Sequence, residues 1–221
     1  PINFNSPYKA LSIQDFWRRW HMTLSRFLRD YLYIPLGGNR KGSIRTYVNL
    51  ITTFLLGGLW HGAGWTFIIW GLLHGIALAI HRLWQSLGFR MNKILAWFIT
   101  FNFINITWIF FRAKDFESAM KVLSSMFSFD NVVLPSIFFK KLAFLENYGI
   151  KFDEVTRSIS GGSDLLNLTL ASMIIVFFFK NSMQLKDKFK SNIFILFFTV
   201  FLFVYSMFSL NKFSEFLYFN F

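Results

Sequence analysis

Four histidines, His21, His61, His74 and His81, are the side chains of this sequence best suited to chemistry. No cysteine is present, which excludes thiolate nucleophiles and disulfides. An ionisable group inside apolar sequence is costly, so its presence there points to function by default. His61 stands in Trp60-His61-Gly62-Ala63-Gly64-Trp65, where glycines mark a break between two apolar segments. A neutral imidazole at such a break has one ring nitrogen free to accept a proton, which is what a general base requires. His21 sits among aromatic and aliphatic residues at helical spacing. His74 and His81 are seven residues apart on one helix face, where packing and snorkelling also account for them. A metal site is not expected: no His-x-x-x-His pair exists, and no carboxylate lies near a histidine in the apolar segments. A Gly-x-Ser-x-Gly elbow and a phosphate-binding P-loop are both absent. Gly37-Gly38-Asn39-Arg40-Lys41-Gly42 can still attract a phosphate through charge alone.

The elements that must position these residues are membrane elements. Of the 221 residues 54% are hydrophobic, 15% are charged and 32 are Phe. A soluble domain carries about 25% charged residues, so the surplus apolar surface here calls for lipid as solvent. The net charge of +12 then marks cytoplasmic loops and anionic lipid, and nucleic acid is not an expected partner. Five apolar stretches are read as helical: 47–60, 65–83, 94–111, 165–179 and 193–210. The first two are expected to form a hairpin or re-entrant segment over 47–83 with His61 at its turn. The others are expected to be transmembrane helices. Residues 1–46 are read as a basic cytoplasmic or interfacial helix and loop. There Ser12 and Asp15 resemble a helix-start capping pair, and Trp17, His21, Leu24, Leu28 and Tyr31 share one face. A second interfacial helix is expected from Asp115 to Phe127.

Charge sets the expected orientation. Residues 1–46 hold eight basic and two acidic side chains, the link 84–93 is purely basic, and the link 180–192 has four lysines against Asp187. The link 112–164 is balanced, seven against seven. The positive-inside rule puts the first three in the cytoplasm and the balanced link outside. A 14-residue first arm rises roughly 21 Å, leaving His61 within a hydrocarbon core about 30 Å thick. The fold class expected is all-α and polytopic. No internal repeat is visible, and the whole of 1–221 is read as part of one membrane-embedded domain. The chain opens on Pro1 with no signal-peptide pattern, which is read as the start of the C-terminal part of a longer protein.

Asn3-Phe4-Asn5-Ser6-Pro7-Tyr8, Asp15-Phe16-Trp17-Arg18-Arg19-Trp20-His21 and Arg29-Asp30-Tyr31-Leu32-Tyr33-Ile34-Pro35-Leu36-Gly37-Gly38-Asn39-Arg40 resemble the membrane-bound O-acyltransferase family. So do Leu56-Gly57-Gly58-Leu59-Trp60-His61-Gly62-Ala63-Gly64-Trp65 and Trp70-Gly71-Leu72-Leu73-His74-Gly75. The likeness is narrowest to the bacterial branch that includes the alginate O-acetyltransferase membrane subunit. It is dense over residues 3–113 and thin to residue 210, and Phe216-Leu217-Tyr218-Phe219-Asn220-Phe221 resembles the family's C-terminus.

The resemblance implies that His61 is the essential histidine and His21 the upstream polar position of the same site. It implies an acyl group, expected to be acetyl, moved from acetyl-CoA or an acyl-carrier thioester to a hydroxyl outside a bacterial cytoplasmic (inner) membrane. The acceptor would be an exopolysaccharide or a periplasmic or extracellular acetyltransferase partner. No bound cofactor is expected. Arg18, Arg19, Arg40 and Lys41 are the expected contacts to the donor phosphate, with Asn49, Trp60 and His74 supporting the site. The competing expectations are D-alanyl transfer to teichoic acid, a transporter with a histidine-lined path, and a non-catalytic membrane scaffold.

Overall fold

The computed structural model describes residues 2–128, 132–153, 162–186 and 189–209. The chain divides into two compact units, residues 1–179 and 180–221. The expected C-terminal motif 216–221 lies outside the described residues.

In the first unit, a short helix α1 (Ile13–Trp17) leads to α2 (Met22–Leu28), and a π-helical turn over Arg29–Tyr33 follows it. Sequence periodicity predicts one continuous helix here, and the structure breaks it at His21. That residue takes a left-handed backbone with φ of 43°, a conformation uncommon in a residue that carries a Cβ. Tertiary bonds hold it there. The Asn3 carbonyl accepts from Met22 N, and Asn3 Oδ1 accepts from both Thr23 N and Thr23 Oγ1. Trp17, Leu24 and Leu28 keep their buried face, while Tyr31 turns out to the surface. Ser12 caps α1 as expected, accepting from Asp15 N, but Asp15 Oδ2 reaches back to Leu11 N instead of closing a capping box.

The next elements form the frame. Helix α3 (Ser43–His61) starts four residues before the expected Tyr47 and runs through His61. At 1.5 Å per residue its 19 residues span about 28 Å, longer than the expected arm. Helix α4 (Trp65–Ser86) folds back along it after three residues. Their backbones touch: a Cβ on Gly58 would overlap the Phe67 carbonyl, and one on Gly71 would overlap the Phe54 carbonyl. Small residues at such crossings are how apolar helices associate where no hydrophobic drive separates them from lipid. On α3, Thr46, Asn49 and Thr53 form a buried polar row. Thr46 and Thr53 donate to carbonyls one turn earlier, and Asn49 Nδ2 donates to Gly38 O at 2.9 Å, tying the glycine loop to the helix.

Helix α5 (Lys93–Arg112) packs on α4, and α6 (Phe116–Phe127), capped by Asp115, follows it. Phe116, Met120 and Phe127 of α6 are exposed. Helices α4 and α5 are long and apolar enough to cross a membrane, and Leu165–Phe178 and Ile193–Phe208 are shorter apolar helices. The all-α expectation needs one correction. Val133–Pro135 (β1) and Lys151–Asp153 (β2) pair as a two-stranded parallel ladder, flanking the single turn α7 (Phe139–Leu142). Helix α8 (Gly162–Phe178) is moored where Lys9 Nζ donates to Phe179 O at 2.8 Å and Phe177 meets the rings of Trp97 and Phe101.

In the second unit α9 (Ser182–Lys186) begins with a reciprocal cap. Asn181 Oδ1 accepts from Gln184 N, and Gln184 Oε1 accepts from Asn181 N. Asn192 opens the apolar α10 (Ile193–Ser209) by accepting from Ile195 N.

Candidate functional site

His61 is the last residue of α3, and Gly62 ends the helix because its extended backbone cannot continue it. Its half-buried imidazole is held among the described residues by aromatic edges, not hydrogen bonds. The ring centroids of Trp60, Phe111 and Trp70 lie 4.9, 5.0 and 5.3 Å away at steep angles, and Phe67 stacks at 6.5 Å. Edge-to-face packing fixes a ring without consuming its nitrogens, so both remain available to a reactant. His21 stands at the break between α1 and α2, with its ring 6.1 Å from that of Phe4. Burial holds the His21 imidazole below its ordinary pKa, and its Nδ1 is 3.5 Å from Thr23 Oγ1.

Behind His61, α1 presses a layer of rings onto α4. Trp70, His74 and Leu78 recur at four-residue spacing on one face of α4 and are all buried. Trp17 Nε1 donates to His74 Nδ1 at 3.2 Å. His74 is fully enclosed, with the rings of Trp70, Trp17 and Phe103 at 4.8, 5.2 and 5.6 Å. Two atoms of this layer, Trp70 Nε1 and His74 Nε2, are buried and have no hydrogen-bond partner among the described residues. Each unmet buried donor costs about 1–3 kcal/mol, a cost that a purely structural layer has no reason to carry twice.

On its other side Trp17 walls a cavity of about 620 Å³. The floor is apolar, from Leu28, Phe54 and Leu78. The rim is cationic, with Arg18 from the end of α1, Arg26 and Arg29 from α2 and the turn beyond it, and Arg82 beside His81 on α4. Among the described residues no Asp or Glu lines it. Arg29 already pairs with Asp30 at 2.7 Å, which holds the Asp30 carboxyl below its usual range. Arg18, Arg26 and Arg82 make no ion pair among the described residues. An apolar floor under unpaired guanidinium groups suits a molecule with phosphates at one end and a non-polar arm at the other.

The expected donor contacts therefore separate. Arg18 lines the cavity. Arg19 is turned into an ion pair with Asp15 at 2.8 Å. Arg40 donates to Ile34 O at 3.5 Å, and Lys41 lays its stem beside Gly37, both outside the cavity lining. Asn49 is spent on Gly38, Trp60 packs against His61, and His74 belongs to the ring layer. Nothing in the spacing singles out Arg82, which lies more than fifty residues from Arg18, Arg26 and Arg29 and joins their rim only through the fold.

A family model for membrane-bound O-acyltransferases matches residues 1–119. The chain is 51% identical over 231 aligned positions to the peptidoglycan O-acetyltransferase of Helicobacter pylori, covering 100% of this chain and 43% of that protein. It is 44% identical over 177 residues to the probable alginate O-acetylase of Pseudomonas aeruginosa, covering 80% of this chain and 31% of that one. The teichoic acid D-alanyltransferase of Bacillus subtilis is more distant, at 32% over 132 residues, 53% of this chain and 33% of that protein. The chain spans less than half the length of each of these relatives. It belongs to the membrane-bound O-acyltransferase family.

Proposed function

We propose that this chain carries the catalytic part of an enzyme that moves an acetyl group from a cytoplasmic thioester to a sugar hydroxyl of a cell-envelope polymer. The observation that carries the reading is His61: a half-buried imidazole at a glycine-broken helical turn, gripped by four aromatic rings with its nitrogens uncommitted. In this mechanism His61 takes the proton from the acceptor hydroxyl as that oxygen attacks the thioester carbonyl carbon. The carbon–sulfur bond breaks, and the proton passes from His61 to the departing thiolate. The donor's phosphates rest against Arg18, Arg26 and Arg82, and its arm enters over Leu78 and Phe54. From Phe54, the α3 residue of the cavity nearest to His61 in the chain, to His61 is about 10 Å along the helix. His21 orients the reacting groups beside His61.

The hairpin α3–α4 has its open, basic end at the cytoplasm and His61 at its far end, in the membrane of a bacterial cell. Acceptor and donor then approach from opposite sides. Peptidoglycan is the first acceptor to test, because the relative matched across the whole chain is a peptidoglycan O-acetyltransferase. An exopolysaccharide, reached directly or through a partner acetyltransferase, is the second. The resemblance to the teichoic acid enzyme makes D-alanyl the competing acyl group. In the full-length protein, His61→Ala should abolish ester formation on the polymer, measured by mass spectrometry, while the protein remains in the membrane. Persistent acetylation in that variant would reject the reading, and a D-alanyl ester in the wild type would replace the acyl group.

A further inference from the structure

We propose that Trp70 Nε1–H and His74 Nε2–H are a pair of donors that receive the thioester carbonyl oxygen beside His61 and hold its negative charge in the tetrahedral intermediate. The inference deepens the acyl-transfer reading above and rests on it.

The tautomer of His74 follows from its partner. An indole nitrogen only donates, so the 3.2 Å contact from Trp17 Nε1 makes His74 Nδ1 an acceptor. A protonated imidazole has no acceptor, so His74 is neutral with its hydrogen on Nε2. That N–H and the Trp70 N–H are then two donors one helical turn apart, in rings 4.8 Å from each other. Both are buried, and no acceptor meets either among the described residues. What they lack is an oxygen, not a proton.

Their position says which oxygen. Along one face of α4 the order is Leu78 at the cavity floor, then His74, then Trp70, whose ring lies 5.3 Å from that of His61. An acyl group moving along this face of α4 from the cationic cavity to His61 would meet this layer, whose two rings stand between Leu78 and His61. Its carbonyl oxygen is the one hard acceptor that the travelling end carries. When the acceptor hydroxyl adds to the carbonyl carbon, the C=O electron pair moves onto that oxygen, and the two N–H groups answer the charge. When the carbon–sulfur bond breaks the pair returns and the carbonyl reforms. Donors fixed in place before the reaction, in a layer closed to water, are the arrangement in which such stabilisation is largest. The Trp17 bond holds the first of them to the needed tautomer, so Trp17 is a positioning residue.

The test uses the full-length protein in membranes, with acetyl-CoA as the donor probe and a soluble peptidoglycan fragment as acceptor. Trp70→Phe keeps a ring and removes one donor. His74→Asn keeps an acceptor near the Nδ1 position and loses the Nε2–H, whereas His74→Gln places an amide N–H near Nε2. The expected result is a fall in kcat of about 10²–10³-fold for Trp70→Phe and His74→Asn, with donor KM and thermal midpoint close to wild type. His74→Gln should recover most of the rate. A Trp70→Phe rate within threefold of wild type overturns the proposal. So does His74→Gln falling as far as His74→Asn, or a loss that tracks unfolding. His61→Ala run alongside separates the two claims. Its inactivity beside an unimpaired Trp70→Phe rejects the donor pair alone, and its activity rejects the reading beneath both.

Discussion

Arg18, Arg26 and Arg82 bring three positive charges to one rim, and no carboxylate lines it among the described residues. Their mutual repulsion is relieved by an anion, so each should matter to donor binding more than to the chemical step. Replacing Arg82 or Arg26 with Gln should raise donor KM about tenfold or more, the scale of one lost charge-assisted hydrogen bond, with kcat little changed. Steady-state kinetics at fixed acceptor would check this, with Arg40→Gln as the comparison expected to be near neutral. Legibility at this scale was uneven. His61 could be found because glycines flank it inside apolar sequence, a local signal. Arg82 could not, because nothing in the spacing joins it to Arg26; only the folding of α4 back along α3 does. The Trp17–His74 bond crosses 57 positions and was hidden for the same reason.

The two long arms depend on backbone contact at Gly58 and Gly71, which no side chain would permit. Gly71→Ala sets a methyl group against the Phe54 carbonyl, and neither backbone can yield cheaply. Forcing extra volume into packed contacts costs about 1–3 kcal/mol. The variant should lower the thermal midpoint in detergent and move Trp70 relative to His61, so activity should fall with stability. A Gly64→Ala control, whose added carbon meets only ordinary contacts, should leave the midpoint unchanged. The bodies of α4 and α5 were legible from apolar length, to within three residues at each end. The break between α1 and α2 was not. Periodicity through Trp17, Leu24 and Leu28 survives it, and the left-handed turn at His21 is imposed by Asn3, eighteen positions away.

For the molecule as a whole, the proposed orientation makes a plain prediction. Single cysteines introduced at Ser86 and Ser182 of the full-length protein, in a background without other reactive thiols, should label from the cytoplasm, and one at Ser136 from the opposite side. Ser86 and Ser136 reporting the same face would overturn the orientation. The balanced segment that carries Ser136 also held the β1–β2 ladder, which three-residue strands without alternation gave no means to foresee. The glycine-paired hairpin also shortens the loops that folding must close. Its contacts join residues such as Ile51 and Gly75, only two dozen positions apart, and among the described residues the lining of the cationic cavity runs from Gln14 to Gln85. Loops that short close quickly, and a chain made from its N-terminus forms local units first. The cationic cavity therefore rests on contacts within one stretch of chain, and α5 contributes Phe103 and Phe111 to the ring layer beside it rather than to the cavity wall.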